Sequence, residues 1–167
     1  MKMSASLLAG ALLLAADAAT AHEPSKHSTE GRSPATDTAS AEVAAVVDQF
    51  GAALKVGNTA VITRLLDERV LILESGGAER SRDEYLGHHA ISDAAFLSSA
   101  TITPKQRVTR VHGDTAWVGS ESEIASGQGS DAKAVLSTET MVLRREAAQW
   151  KIVHIHWSSR PKKATAK

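Results

Sequence analysis

Residues 150–160 read Trp-Lys-Ile-Val-His-Ile-His-Trp-Ser-Ser-Arg, and this stretch points most directly to the fold. Branched and aromatic residues alternate with polar ones, a period of two that is typical of a β-strand. Side chains two apart in a strand share a face. The face that carries both histidines comprises Ile152, His154, His156 and Ser158, and the opposite face comprises Val153, Ile155 and Trp157. The histidine face either meets water or lines a cavity.

The overall composition indicates one globular domain and argues against some types of partner and of stabilisation. The chain has 167 residues, 43% of them apolar, which suits one globular domain with extensions. Its 19 basic and 19 acidic side chains give a formal net charge of zero, so a nucleic-acid partner is not expected. Cysteine is missing from the sequence, so the core must hold by packing, without disulfides.

The N-terminal segment has the pattern of an export signal. Lys2 precedes an apolar run from Ala5 to Ala16, and Ala19-Thr-Ala21 supplies the small residues at which a signal peptidase cuts. We therefore expect a signal peptide at 1–21, a mature chain from His22, and a periplasmic or secreted protein. Without cysteine the lipoprotein route is closed, so no membrane attachment is expected after cleavage.

A flexible linker is predicted at 22–40, because this range is rich in Ser, Thr and Pro and has no apolar residue larger than alanine. A helix should begin near Ser40, since apolar residues then recur at helical spacing: Val43, Val46, Val47, Phe50 and Leu54. Gly57-Asn58 ends it, and Thr59 to Leu66 predicts a second, short helix. Val70 to Leu73 predicts a brief strand that ends in Glu74, before a turn at 75–77.

A third helix is predicted from Arg82, because Ser81 and Glu84 form a capping box. One face of this helix is apolar and contains Tyr85, Leu86, Ala90, Phe96 and Leu97. His89 and Asp93 fall in the middle of that face, and His88 lies at its edge. Since a buried, unpaired charge is very costly, His89 and Asp93 are expected either to satisfy each other or to line a cavity.

Strands are predicted for the second half of the chain, over Thr101–His112, Thr115–Ala125, Ala134–Arg145 and Lys151–Ser159. The turn at Gly113-Asp114, the loop at 126–130 and the turn at 146–149 connect them as an antiparallel meander. The predicted order is therefore ααβαββββ, an α+β domain with helices on one side of a sheet. It should span 41–160 and be followed by a basic tail at 161–167.

This order, closed by Trp150-x-Ile-Val-His154-x-His156-x-Ser158, resembles the nuclear transport factor 2-like superfamily. Within it, the chain is most similar to small secreted SnoaL-like, ketosteroid-isomerase-like domains, and the association domains of calmodulin-dependent kinases end in a similar pattern. The resemblance covers about Ala41 to Arg160. It implies a cone whose curved sheet and helices enclose a pocket, usually in a homodimer formed through the sheet. The steroid isomerases' catalytic set does not carry over, because Tyr85 is the single tyrosine and no matching tyrosine–acid oxyanion pair for an enolate is found.

Two functions from different classes fit this pattern. The first is an exported domain that binds a small organic ligand and performs acid–base chemistry on it, with His156 or His89 taking a proton. Asp93 or Glu139 would orient the imidazole. Further ligand contacts are expected from Glu74, Tyr85, Trp117, His154 and Ser158. The second function is a non-catalytic periplasmic binding or assembly domain. No cofactor is expected for either.

A histidine metal site is a third alternative. His88 and His89 point about 100° apart on a helix, so they cannot readily share one ion. His89 could bind an ion together with His154 and His156, but only if helix and strand face each other across a pocket.

The last hairpin predicts a specific pair. A two-residue turn at Ala147-Ala148 and a four-residue turn at 146–149 both place His156 opposite Glu139 and His154 opposite Met141. The four-residue turn is favoured, because two alanines fit a two-residue turn poorly. Glu139 and His156 would then form a carboxylate–imidazole pair.

Overall fold

A computed structural model describes residues 34–127 and 133–163. The helices are α1 (Pro34–Lys55), α2 (Thr59–Leu65), α3 (Arg82–Gly87) and α4 (His89–Ser99). The strands are β1 (Leu66–Glu74), β2 (Gly77–Glu79), β3 (Thr101–His112), β4 (Thr115–Ser126), β5 (Lys133–Glu146) and β6 (Gln149–Pro161). The α+β class is confirmed. The predicted signal peptide, the linker as far as residue 33, and residues 164–167 lie outside the described residues.

The strands form one curved, mixed sheet in the order β2-β1-β6-β5-β4-β3. The meander from β3 to β6 is antiparallel throughout, as predicted. Strand β1 joins β6 in parallel, and the short β2 pairs with β1 as an antiparallel edge strand. Strand β2 was not predicted, since the pattern around Gly76-Gly77 indicated only a turn. In the described part of the chain, no helix is long and apolar enough to cross a membrane.

Helix α1 begins at Pro34, inside the range that was predicted to be linker and ahead of the start expected near Ser40. Proline suits a first helical turn because its missing N–H would have no partner there, and Asp37 in that turn suits the helix dipole. Further along, the predicted stripe is confirmed: Val43, Val47, Phe50 and Leu54 are buried.

The predicted third helix is two helices. Ser81 caps α3 through a 3.1 Å hydrogen bond from the Glu84 N–H, as the capping box predicts. At His88, however, the backbone leaves the helical region (φ −134°, ψ −88°) and α4 starts afresh. Because of this break, the residues predicted to share one apolar face do not all point the same way. Tyr85 and Ala90 are buried, but Phe96 is 46% exposed. The predicted place of Phe96 on the buried face is therefore wrong.

The final hairpin turns through two residues, with Ala147 and Ala148 both at positive φ (46° and 66°), so the favoured four-residue turn is wrong. Close to the turn the predicted register holds, with Leu143 opposite Ile152. Beyond it, Val153 is an extra residue that forms a bulge and shifts the pairing by one.

The bulge overturns the predicted pair. His156 lies opposite Thr140, His154 opposite Val142, and Glu139 opposite Trp157. The Glu139–His156 pair is therefore wrong, because the sequence pattern does not reveal a one-residue insertion in a strand.

The bulge also decides which side chains of β6 point toward the helices. Trp150, Ile152 and Ile155 are buried in the core, although Ile152 and Ile155 are three residues apart. Trp157 shares their face and lies 6.4 Å from Phe50 and 6.2 Å from Tyr85 between ring centroids. We call this face the inner face of the sheet. By strand alternation, His154, His156 and Ser158 lie on the opposite, outer face, where Ile152 was wrongly expected to join them.

Candidate functional site

An open cleft of about 420 Å³ lies between the β1–β2 hairpin and α4. Its lining consists of Glu74, Ser75, Gly77, Glu79, His89 and Asp93. Four of these are titratable, and three of the four were predicted as site residues. These four titratable side chains therefore lie together at the C-terminal end of β1.

The β1–β2 hairpin places two carboxylates on the inner face. Glu74 is the last residue of β1 and follows the buried Val70 and Ile72 by strand alternation. Ser75 and Gly76 turn the chain with positive φ (48° and 89°), and Glu79 comes to lie opposite Ile72. Glu79 therefore points inward and is 5% exposed.

His89 forms a pair with Glu79. The Nδ1 atom of His89 contacts the Oε1 atom of Glu79, and the half-exposed imidazole lines the cleft. An Nδ1–H that donates to the carboxylate leaves Nε2 as a proton acceptor. The partner of His89 is thus Glu79 rather than Asp93 or Glu139, the two acids that had been expected to orient it.

Asp93 accepts a 2.9 Å hydrogen bond from the hydroxyl of Tyr85. Tyr85 is fully buried, and burial raises the pKa of its hydroxyl far above its ordinary value, so it stays a donor. Burial also raises the pKa of Asp93, although the bond from Tyr85 and the charge of His89 act in the opposite direction. Because the hydroxyl of Tyr85 is committed to the carboxylate of Asp93, these two residues do not form a tyrosine–acid oxyanion pair.

The carboxyl of Glu74 is held closer to neutrality than an ordinary glutamate. Partial burial raises its pKa, and the charge of Asp93 raises it further, whereas His89 lowers it. A carboxyl with a raised pKa can exchange protons nearer to neutral pH. The cleft therefore holds two such groups beside one oriented imidazole.

Four predicted site residues lie elsewhere, on the outer face of the sheet: Trp117, His154, His156 and Ser158. His154 donates from Nδ1 to the carbonyl oxygen of Leu71 over 2.8 Å, which ties β6 to β1. Among residues 34–127 and 133–163, no three acidic or histidine side chains are placed to hold a metal ion. Since the sheet separates His89 from His154 and His156, the metal site that would combine them is wrong.

Glu139 lies on the inner face but does not line the cleft. Its Oε2 atom accepts a 2.8 Å hydrogen bond from the indole N–H of Trp157. This bond fixes the ring of Trp157, which packs against both Phe50 and Tyr85. Glu139 therefore supports the wall behind Tyr85.

Glu79 is the site residue that the sequence analysis missed. A signal was present, because a two-residue turn at Ser75-Gly76 pairs Glu74 with Gly77 and Ile72 with Glu79. Extending the predicted turn into a hairpin would have placed Glu79 on the face of the apolar Ile72.

Comparison with known proteins agrees with this architecture. Residues 43–161 match the family model described as the SnoaL-like domain. A candidate ketosteroid isomerase from Shewanella frigidimarina is 42% identical, with a TM-score of 0.63 over 68% of this chain and 91% of that chain. A candidate dehydratase of the NTF2-like family from Streptomyces avermitilis is 25% identical, with a TM-score of 0.63 over 77% and 99% of the two chains.

At lower identity, the CaMKII hub of S. rosetta shares the fold. It is 22% identical, with a TM-score of 0.64 over 72% of this chain and 96% of that chain. No curated protein matches the chain. On the family match and the similarity to the Shewanella protein, the chain belongs to the SnoaL-like family of the NTF2-like superfamily.

Proposed function

We propose that the domain binds a small organic molecule in the cleft and moves a proton on it, in an isomerase- or dehydratase-type reaction. The observation that carries this proposal is the Glu79–His89 pair in one cleft with Glu74 and Asp93. The two similar proteins described as a candidate isomerase and a candidate dehydratase support the reaction class. Both reactions need a base that removes a proton and an acid that supplies one.

The proposed chemistry assigns the base to His89. Its Nε2 atom takes a proton from the bound molecule, and the buried carboxylate of Glu79 stabilises the imidazolium that forms. The imidazolium then returns this proton from Nε2 to the atom of the ligand that gains negative charge, so that one histidine serves first as base and then as acid. Tyr85 holds Asp93 in place through its hydroxyl.

A generic proton-transfer probe tests this assignment. 5-Nitrobenzisoxazole opens to a coloured phenolate when a base removes its ring proton, so the rate is read by absorbance without knowing the natural ligand. We expect the wild-type protein to accelerate ring opening and His89→Gln to lose about 10²-fold or more of the acceleration. Glu79→Gln should lose less, because Nε2 remains in place.

The matched control is His112→Gln, because His112 is an exposed histidine at the end of β3, outside the cleft. It should open the probe at the wild-type rate. Equal rates for wild type and His89→Gln would remove His89 from the role of base.

We also propose that two copies associate through the outer face. One row across four strands of that face contains Trp117, Val142, His154 and Leu71. Trp117 is 40% exposed and Leu71 is 38% exposed, an unusual pair of large apolar side chains on a water-facing sheet. Association domains are among the solved structures of the same fold, in line with this proposal.

We further propose that the chain is exported and cut after Ala21. The support is the pattern of Lys2, the apolar run from Ala5 and the small residues Ala19 and Ala21.

A further inference from the structure

The lining of the cleft contains more acidic than basic side chains. It contains the carboxylates of Glu74, Glu79 and Asp93 and one imidazole, but no lysine or arginine. Within residues 34–127 and 133–163, none of these three carboxylates forms an ion pair with a lysine or arginine; Glu79 contacts His89, and Asp93 contacts Tyr85.

Many acidic side chains elsewhere in the described part of the chain do have a basic side chain nearby. Seven of them lie within ion-pair distance of an arginine or lysine: Glu42, Asp48, Asp67, Glu68, Asp83, Glu123 and Glu146. The molecule therefore has basic side chains available and places none of them in the cleft.

An unbalanced set of carboxylates disfavours some ligands and favours others. A ligand that brings a carboxylate or phosphate would be repelled by the like charges of Glu74 and Asp93, and it would find no arginine or lysine to hold it. A ligand with a positive charge would supply the missing counter-charge and would be attracted from solution. Burial raises the pKa of both carboxyls, so a cationic group beside them would favour their ionised form.

We infer that the molecule bound in the cleft carries a protonated nitrogen, and that Glu74 and Asp93 hold this small organic ammonium ion. The inference rests on the proposed function, in that it names the class of molecule that occupies the same cleft. An ammonium group has several N–H donors, enough for both carboxylates at once. A cleft of about 420 Å³ accommodates a molecule of one ring and a short side chain.

Three probes of nearly equal shape separate the possible ligand charges: benzylammonium, benzyl alcohol and benzoate. Each is titrated into ¹⁵N-labelled protein, and binding is read from the amide shifts of the residues that line the cleft. We expect benzylammonium to shift the amides of Glu74, His89 and Asp93, benzyl alcohol to bind at least about tenfold more weakly, and benzoate not to bind.

Charge-removing variants locate the contact. In Glu74→Gln and in Asp93→Asn, the affinity for benzylammonium should fall about tenfold, while the affinity for benzyl alcohol stays within about twofold. Glu121→Gln is the control, since Glu121 is an exposed glutamate of β4 on the outer face. It should leave all three affinities unchanged. Calorimetry in two buffers of different ionisation enthalpy, at a pH where these carboxyls are partly protonated, should show that benzylammonium releases protons on binding, because a cation favours the ionised carboxylates.

The inference is overturned if benzyl alcohol or benzoate binds as tightly as benzylammonium, if none of the three binds, or if both variants keep the wild-type affinity for benzylammonium. Proton transfer on the neutral 5-nitrobenzisoxazole is measured separately. A protein that opens this neutral probe but does not prefer the cation keeps the proposed function and loses the inference. A protein that prefers the cation but does not open the neutral probe keeps the inference and loses the proposed function.

Discussion

Single side chains in the cleft gain their chemistry from partners that are distant in sequence. His89 was expected to rely on Asp93, four residues away on one helix. It is instead held by Glu79, which reaches it from the edge strand β2. Asp93 is then free to accept a hydrogen bond from the hydroxyl of Tyr85, which lies in α3, about one turn before the helix break. Glu79 and Asp93 thus have different donors, so these two acids need not play the same role.

Two glutamates should change stability with pH in opposite directions. Partial burial raises the pKa of Glu74 in the folded protein, so the stability it contributes is present at low pH and is lost as pH rises through the raised value. The hydrogen bond from Lys162, aided by Lys105, lowers the pKa of Glu123, so its contribution is present at neutral pH and is lost on acidification.

The measurement is urea unfolding from about pH 4 to about pH 7, on either side of the ordinary glutamate value. Relative to wild type, Glu74→Gln should gain stability as pH rises, whereas Glu123→Gln should lose it. The two variants serve as controls for each other, because both replace a glutamate by its amide. If the stability of both variants relative to wild type changed with pH in the same direction, the environments assigned to Glu74 and Glu123 would be contradicted.

Within the helices and strands, two local irregularities decide which side chains point into the core and which point to solvent. The break at His88 splits one predicted helix and turns Phe96 toward solvent. The bulge at Val153 sends Ile155 and Trp157 inward and the two histidines of β6 outward. Each irregularity involves one residue, yet it changes the environment of every side chain that follows in its element.

Phe50 and Phe96 should therefore differ in their effect on stability, although both lie on apolar helical stripes. Phe50→Ala should lower the free energy of unfolding by about 3–5 kcal/mol, because Phe50 is 1% exposed and packs against Trp157. Phe96→Ala should cost about 1 kcal/mol or less, since nearly half of its surface already meets water. Urea or thermal unfolding compares them directly, and equal losses would mean that α4 is rotated from the position described.

The molecule as a whole uses its two sheet faces differently. The inner face, together with the helices, forms the core and one wall of the cleft. The outer face carries the row of Trp117, Val142, His154 and Leu71, which none of the four described helices covers. The proposed ligand chemistry and the proposed association would therefore use opposite faces of one sheet.

Trp117→Glu should convert the proposed dimer to a monomer, because it buries a charge in the apolar centre of the contact. Light scattering on a size-exclusion column gives the molar mass directly. The control is Ile91→Glu, which alters an exposed apolar residue of α4 and should leave the dimer intact. A wild-type protein that is monomeric at micromolar concentration, or a Trp117→Glu protein that stays dimeric, would contradict the proposed contact.

Expression of the full chain in a bacterial host should deliver a mature protein that begins at His22, as read by intact mass of the periplasmic fraction. Ala21→Phe should block this cleavage, since the peptidase requires a small residue before the cut. His22→Gln, just beyond the cut, should still be cleaved there. A periplasmic chain with residues 1–21 attached in the wild type would rule out the predicted site.

Local periodicity was enough to predict the α1 stripe around Phe50, the cap at Ser81 and the antiparallel meander, whereas the family was predicted from a resemblance to known proteins. These features depend on residues a few positions apart, so hydrophobic spacing and turn chemistry encode them directly. The same reasoning brought Glu74, Tyr85, His89 and Asp93 forward as candidates, because polar groups on an apolar face need partners.

Tertiary structure decided which strands pair and which side chains face the cleft. The parallel pairing of β1 with β6, the inward turn of Glu79 and the outward turn of His154 and His156 depend on contacts between segments far apart in the chain. A single inserted residue at Val153 exchanges the two faces of the strand beyond it, and alternation of residue types cannot show where such an insertion falls. The histidines that drew attention in the last strand therefore face away from the cleft, and the acid that holds His89 comes from a strand of three residues.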